Sequence, residues 1–111
     1  GFDYCIAHKE RRGDKQIEMT LPDHNFLNKP IVIIDDMAST GRTLGKAARL
    51  LQTAGAGDIY VVVTHALFCE DAETHILQAG IKTIWSTDSI EHPTSCIKLD
   101  ALLANAIKAI I

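Results

Sequence analysis

Cysteine, aromatic residues and clustered positive charge are all scarce in this chain, and each shortage removes a class of protein. The three cysteines, Cys5, Cys69 and Cys96, form neither a C-x-x-C pair nor a zinc spacing, so a disulfide framework and a zinc ribbon are excluded. An odd count leaves at least one thiol unpaired, which suits a reducing compartment. Cys5, inside an apolar run, and Cys96, beside Ile97, read as small buried hydrophobes; Cys69, followed by Glu70 and Asp71, has no help towards a thiolate. Aromatic residues make up 5% of the chain, and Trp85, set in an apolar run, reads as strand core rather than as a base-stacking platform. Eleven basic against fourteen acidic residues give a net charge of −3, and the one basic cluster, residues 9–12, has Glu10 inside it. Nucleic-acid and anionic-membrane surfaces, which rest on clustered Lys and Arg, are not expected. No apolar stretch approaches the roughly 20 residues of a membrane span and no signal-peptide pattern opens the chain, so a cytoplasmic protein is expected. Repeats, low-complexity tracts and linkers are absent. Gly55-Ala56-Gly57 follows a helical pattern rather than a strand and so fails as a dinucleotide fingerprint, while residues 41–46 lack the P-loop spacing. The five histidines are scattered without an i, i+4 metal pair, and the sequence names no dedicated metal ligand set.

What is present is concentrated in residues 31–43, IVIIDDMASTGRT. The β-branched apolar run from Ile31 to Ile34 is the pattern of a parallel strand covered on both faces. Asp35 and Asp36 fall at its carboxyl end. Ser39, Thr40, Gly41, Arg42 and Thr43 follow, and a helical pattern begins at Leu44, so the turn presents backbone N–H groups and hydroxyls at a helix N-terminus, a ready anion site. Two carboxylates beside a phosphate cradle need a partner other than phosphate. Ionised Asp only accepts hydrogen bonds, and a vicinal diol of a ribose supplies donors a few ångströms from a bound 5-phosphate.

The same residues resemble the ribose-phosphate binding motif of the type I phosphoribosyltransferase fold, departing from it at Ala38, where a larger aliphatic residue is usual, and at Arg42, where a small one is common. Upstream, residues 8–13 (HKERRG) are similar to the catalytic-loop segment of ribose-phosphate pyrophosphokinases, which make phosphoribosyl pyrophosphate (PRPP). Residues 64–68 (THALF), 86–90 (STDSI) and 102–107 (LLANAI) resemble later parts of that family, so the likeness covers nearly the whole chain. It implies an α/β three-layer sandwich with a mainly parallel sheet, as one phosphoribosyltransferase-like domain over residues 1–111 and the carboxyl-terminal lobe of a two-lobed enzyme. It also implies ribose 5-phosphate and ATP as substrates, Mg2+ with the ATP, a missing amino-terminal lobe and homo-oligomeric assembly. By the same resemblance Lys9 and Arg11 act on the transferring phosphates, while Asp35, Asp36, Ser39, Thr40, Gly41, Arg42 and Thr43 bind ribose 5-phosphate. A PRPP-consuming phosphoribosyltransferase and a non-catalytic pyrophosphokinase-like subunit stay open as alternatives.

Alternating strand and helix patterns mark the remainder as a parallel-sheet domain. Strands are expected at residues 4–7, 31–34, 59–63 and 82–85, with an extended piece at 17–21. Leu44, Ala47, Ala48, Leu51 and Ala54 recur at helical spacing, with Lys46, Arg49 and Gln52 opposite and Gly55 as the stop. Ala72, Ile76 and Ala79 mark a second helix ended by Gly80. A third, capped by Asp100, carries Leu103, Ala106, Ile107 and Ile110 on its apolar face. Ligands of open α/β sheets sit beyond the strands' carboxyl ends, which places the segments after the first strand, at Asp35 and at Thr64-His65 around one crevice.

Overall fold

The computed structural model describes residues 3–12, 16–69 and 71–110, and of residues 11, 12, 16 and 17 the backbone. Its first element is a hairpin: β1 (His8–Arg12) and β2 (Gln16–Thr20) pair antiparallel as a two-stranded sheet, with Lys9 opposite Met19 and Arg11 opposite Ile17. The strand expected at residues 4–7 is not formed, and Tyr4 and Ile6 are exposed. Strand structure needs a partner edge, and the nearest segment able to provide one closes a short loop onto residues 8–12, the least costly closure in entropy. Lys9 therefore sits within a strand and not in a loop after one.

β3 (Ile31–Ala38), β4 (Ile59–Ala66), β5 (Ile81–Thr87) and β6 (Ser95–Ile97) form a parallel sheet in that order. This is the expected α/β class. The crossovers from β3 to β4 and from β4 to β5 contain α1 (Arg42–Thr53) and α2 (Ala72–Gln78). Both steps run the same way across the sheet, and crossovers of one hand place both helices on one face. There Leu44, Ala48 and Leu51 of α1, with Ile76 and Ala79 at α2, pack on Ile59, Val61, Val63, Ile81 and Ile84. The α1 helix starts at Arg42, two residues before the apolar pattern, because a periodic signal begins only with the first inward side chain. It ends as expected at Gly55, whose φ of +86° suits glycine. The Gln52 Nε2 amide donates to the Ala79 carbonyl at 2.7 Å, tying α1 to the end of α2.

The other face of β3 corrects the expectation of a strand covered on both sides. Val32 and Ile34 are 51% and 77% exposed, and Tyr60 and Trp85 stack on the same face, 5.4 Å apart and 10° from parallel. Trp85 is thus half-buried on an open face rather than core. An apolar β-branched run encodes the strand, whereas its cover is a tertiary matter that the run does not contain. Cys5 and Cys96 are likewise exposed, not buried: Cys5 lies outside any strand and Cys96 on the short edge strand β6. The third helix, α3 (Asp100–Ile110), has no buried residue, so its apolar face is formed but uncovered. The Leu99 N–H before it is held by Asp88 Oδ1 at 2.9 Å, while Asp100 Oδ1 accepts from the Ala101 N–H at 2.9 Å.

Candidate functional site

At the carboxyl end of the sheet, β3 runs on through both acids to Ala38. Alternation along the strand then points Asp35 to the helix-covered face and Asp36 to the open one. The Asp36 N–H donates to Asp35 Oδ1 at 2.8 Å. Burial holds the half-buried Asp35 carboxyl above the usual carboxylate range, and a side-chain hydrogen bond with Asp36 raises it further. The Asp36 backbone N–H and the Lys9 ammonium pull it back, with a smaller upward push from the Asp36 charge. The hairpin thus brings the Lys9 charge to bear on Asp35 although Lys9 is not in the parallel sheet.

The turn after β3 makes α1 possible. Gly41 takes φ +78° at the N-cap, and a Cβ there would stand 2.8 Å from Ile76 Cγ1 and 3.0 Å from the Ala72 carbonyl oxygen. Glycine is required twice over, for its backbone and for the approach of α2. Thr40 Oγ1 accepts from the Arg42 N–H at 3.3 Å. The Ser39 carbonyl accepts the Cys69 N–H at 2.8 Å, and the Cys69 thiol lies 3.9 Å from Ser39 Oγ, so the segment after β4 braces the turn. Ser39, Thr40 and Arg42 are exposed and Thr43 is half-buried. The α1 helix has no acid in its first turn, which leaves its positive end uncompensated and favourable to an anion.

A third group closes this end. Thr87 Oγ1 and Ser89 Oγ both donate to the Thr64 carbonyl, at 2.6 and 3.0 Å, and His65 Nδ1 lies 2.9 Å from Ser89 Oγ. The pairing of Met37 with His65 places this cluster beside the end of β3. Lys9, Asp35, Asp36, the turn and the segment after β4 are therefore brought to one end of the molecule. Arg11 is in β1, two residues from Lys9, and its side chain lies outside the described residues. Missed by the sequence reading were the Ser39–Cys69 brace and the strand β6; neither has a periodic signal, since the first is a lone backbone contact and the second is too short. Among the described residues no group of three or more His, Cys, Asp or Glu side chains is placed to hold a metal ion, and no helix is long and apolar enough to cross a membrane.

Parallel strands, helical crossovers and an acid pair running into a glycine turn at the strand ends define a phosphoribosyltransferase-like α/β fold. Residues 24–111 match the phosphoribosyl synthetase-associated domain family, and the chain belongs to it. It is 32% identical over 108 residues to a ribose-phosphate pyrophosphokinase of Methanopyrus kandleri, covering 97% of this chain and 37% of that protein. A ribose-phosphate pyrophosphokinase of Thermoplasma volcanium is 36% identical over 110 residues, 99% of this chain and 38% of that one. The crystal structure of a phosphoribosylpyrophosphate synthetase from Mycobacterium smegmatis shares the fold, with a TM-score of 0.66 and 23% identity over 94% of this chain and 36% of that one. The chain thus spans less than two fifths of the length of these proteins.

Proposed function

We propose that the chain is the ribose 5-phosphate lobe of a ribose-phosphate pyrophosphokinase, serving nucleotide biosynthesis by forming PRPP and AMP from ribose 5-phosphate and ATP. The observation that carries this reading is the convergence of Asp35, Asp36, the glycine turn of α1 and the Lys9 charge at one end of the molecule. The 5-phosphate sits on the turn, held by Ser39, Thr40, Gly41, Arg42 and Thr43, and the ribose hydroxyls donate to Asp35 and Asp36. The 1-hydroxyl oxygen attacks the β-phosphorus of ATP as the bridging bond to the α-phosphoryl group breaks and AMP leaves. Charge spread over the phosphoryl oxygens is met by the cations Lys9 and Arg11. Magnesium comes with ATP as its phosphate-bound cation; the described residues offer no ready cage for it, and no step is assigned to it. An amino-terminal lobe and neighbouring subunits supply the adenine site, in line with the share of the relatives' length that this chain spans.

Calorimetry tests the sugar site directly. Losing a charge-assisted hydrogen bond of about 1.5–3 kcal/mol lowers affinity roughly ten- to a hundredfold, so Asp35→Ala weakens ribose 5-phosphate binding by that factor while circular dichroism stays native. Unchanged affinity in a folded variant removes the assignment. Incubation with ATP, Mg2+ and ribose 5-phosphate then tests the missing lobe: turnover is expected on adding the remainder of the enzyme. Full turnover by this chain alone refutes the two-lobed reading.

A further inference from the structure

The segment after β4 carries a ring that the sugar site as described leaves without a task. His65 Nδ1 lies 2.9 Å from Ser89 Oγ, and Ser89 is held in turn. Its Oγ is 3.0 Å from the Thr64 carbonyl oxygen and 3.1 Å from Thr87 Oγ1, and its N–H donates to Thr87 Oγ1 at 3.2 Å. Thr87 is buried, with its Oγ1 2.6 Å from the same Thr64 carbonyl. A buried hydroxyl therefore anchors a serine, and the serine anchors a half-buried imidazole. Only one nitrogen of the ring is used for this: among the described residues Nε2 has no hydrogen-bond partner.

Strand register fixes which way that nitrogen looks. Asp35 pairs with Val63 and Met37 with His65, and residues two apart on a strand share a face. Val63 lies in the core under the helices, so His65 stands on the face that Asp35 uses, roughly 7 Å nearer the turn of residues 39–43 at 3.3 Å per residue. Ser89 follows β5, which flanks β4 on the side away from β3. The two nitrogens of an imidazole point in widely divergent directions within the ring plane, so tying Nδ1 to the β5 side turns Nε2 toward β3, over the half-exposed Met37. A ribose 5-phosphate with its diol at Asp35 and its phosphate on the turn bridges that interval. Its hydroxyls are met by the two acids, which leaves the phosphate oxygens as the groups in need of donors. Resting on the reading of this chain as a ribose 5-phosphate lobe, we infer that His65 is a further substrate contact: Nε2–H donates to the 5-phosphate, and Ser89 sets its aim. That N–H is present in the imidazolium and in one neutral tautomer alike.

Calorimetry of this chain with ribose 5-phosphate and 2-deoxyribose 5-phosphate tests it, on variants that separate the two ring nitrogens. An asparagine amide reaches as far as Nδ1 and a glutamine amide as far as Nε2. His65→Asn keeps the contact with Ser89 and lowers affinity for both ligands about tenfold, the value of one charge-assisted hydrogen bond, while His65→Gln restores most of the loss. Ser89→Ala, which loosens the ring without removing it, costs a smaller factor. The two ligands differ in a hydroxyl that the acids hold, so their affinity ratio keeps its parental value in His65→Asn; a ratio that shrinks puts the ring on a hydroxyl and overturns the inference. In the parent chain the ¹⁵N resonance of Nε2 moves on adding ribose 5-phosphate and that of Nδ1 moves less, a readout independent of how any variant folds; two unmoved ring nitrogens overturn the inference as well. If Asp35→Ala weakens binding while His65→Asn binds as the parent does, the sugar site stands and the role of His65 falls. Absence of ribose 5-phosphate binding by the parent chain refutes both.

Discussion

Replacing Gly41 by alanine isolates the joint on which the candidate site depends. The backbone there has φ +78°, a left-handed conformation that costs an L-residue about 1–2 kcal/mol. The added methyl would stand 2.8 Å from Ile76 Cγ1 and 3.0 Å from the Ala72 carbonyl oxygen. Ile76 is fully buried, and the carbonyl belongs to the first residue of α2, so neither has room to retreat; overpacking of this kind costs about 1–3 kcal/mol. Together the loss is about 2–5 kcal/mol, a large part of the roughly 5–15 kcal/mol that holds a domain folded, and a fall in Tm of about 8–20 °C for a chain of this size. Gly45→Ala is the matched control one turn along. Its methyl would meet only Ala79 Cβ at 3.8 Å, and alanine gains up to about 1 kcal/mol over glycine in a helix, so Tm rises or holds. Thermal and urea unfolding of the two variants reads both signs. If Gly41→Ala melted within a degree of the parent chain, both the left-handed turn and its contact with α2 would be wrong as causes.

Further outcomes follow from the same geometry. Asp35 binds its proton more tightly when folded, so folding stability falls as pH rises from the ordinary carboxylate range through the raised value; Asp35→Asn removes that fall, and urea unfolding across acid pH shows the variant gaining on the parent. Lys9→Ala removes a charge that lowers the Asp35 pKa, so an NMR titration finds the Asp35 midpoint moved higher still. In the complete enzyme the same variant depresses kcat far more than it raises KM for ribose 5-phosphate, and a normal kcat with raised KM would make Lys9 a uniform binding residue. Ile76→Ala empties the fully buried contact between α1, α2 and the sheet, costing about 2–5 kcal/mol, whereas Leu77→Ala on the exposed side of α2 stays within about 0.5 kcal/mol; equal effects would deny that the helix is seated as described.

The parallel sheet and its helices were legible because each leaves a period: Ile59, Val61 and Val63 alternate along β4, and Leu44, Ala48 and Leu51 repeat along α1. The glycine turn after β3 was legible because glycine and small hydroxyls between the end of an apolar run and a helical pattern mark a strand-to-helix turn. What the sequence hid depends on partners far along the chain. Nothing in the apolar run from Ile31 to Ile34 tells that only one face is covered, and nothing near Lys9 tells that residues 8–12 fold as a strand paired with 16–20.

The bareness of α3 divides the molecule into parts with different reasons to be ordered. An isolated helix shorter than about 12–15 residues is marginal in water, and the eleven residues of Asp100–Ile110 have no buried side chain to add to their own hydrogen bonds. The sheet and its two covering helices are expected to unfold as a unit, with α3 fraying independently of it. Its amide protons therefore exchange through local opening, and any protein surface that seats Leu103, Ile107 and Ile110 slows that exchange without altering the core. The helix is in this sense a gauge: its protection measures whether its apolar face is covered, while that of β4 measures folding.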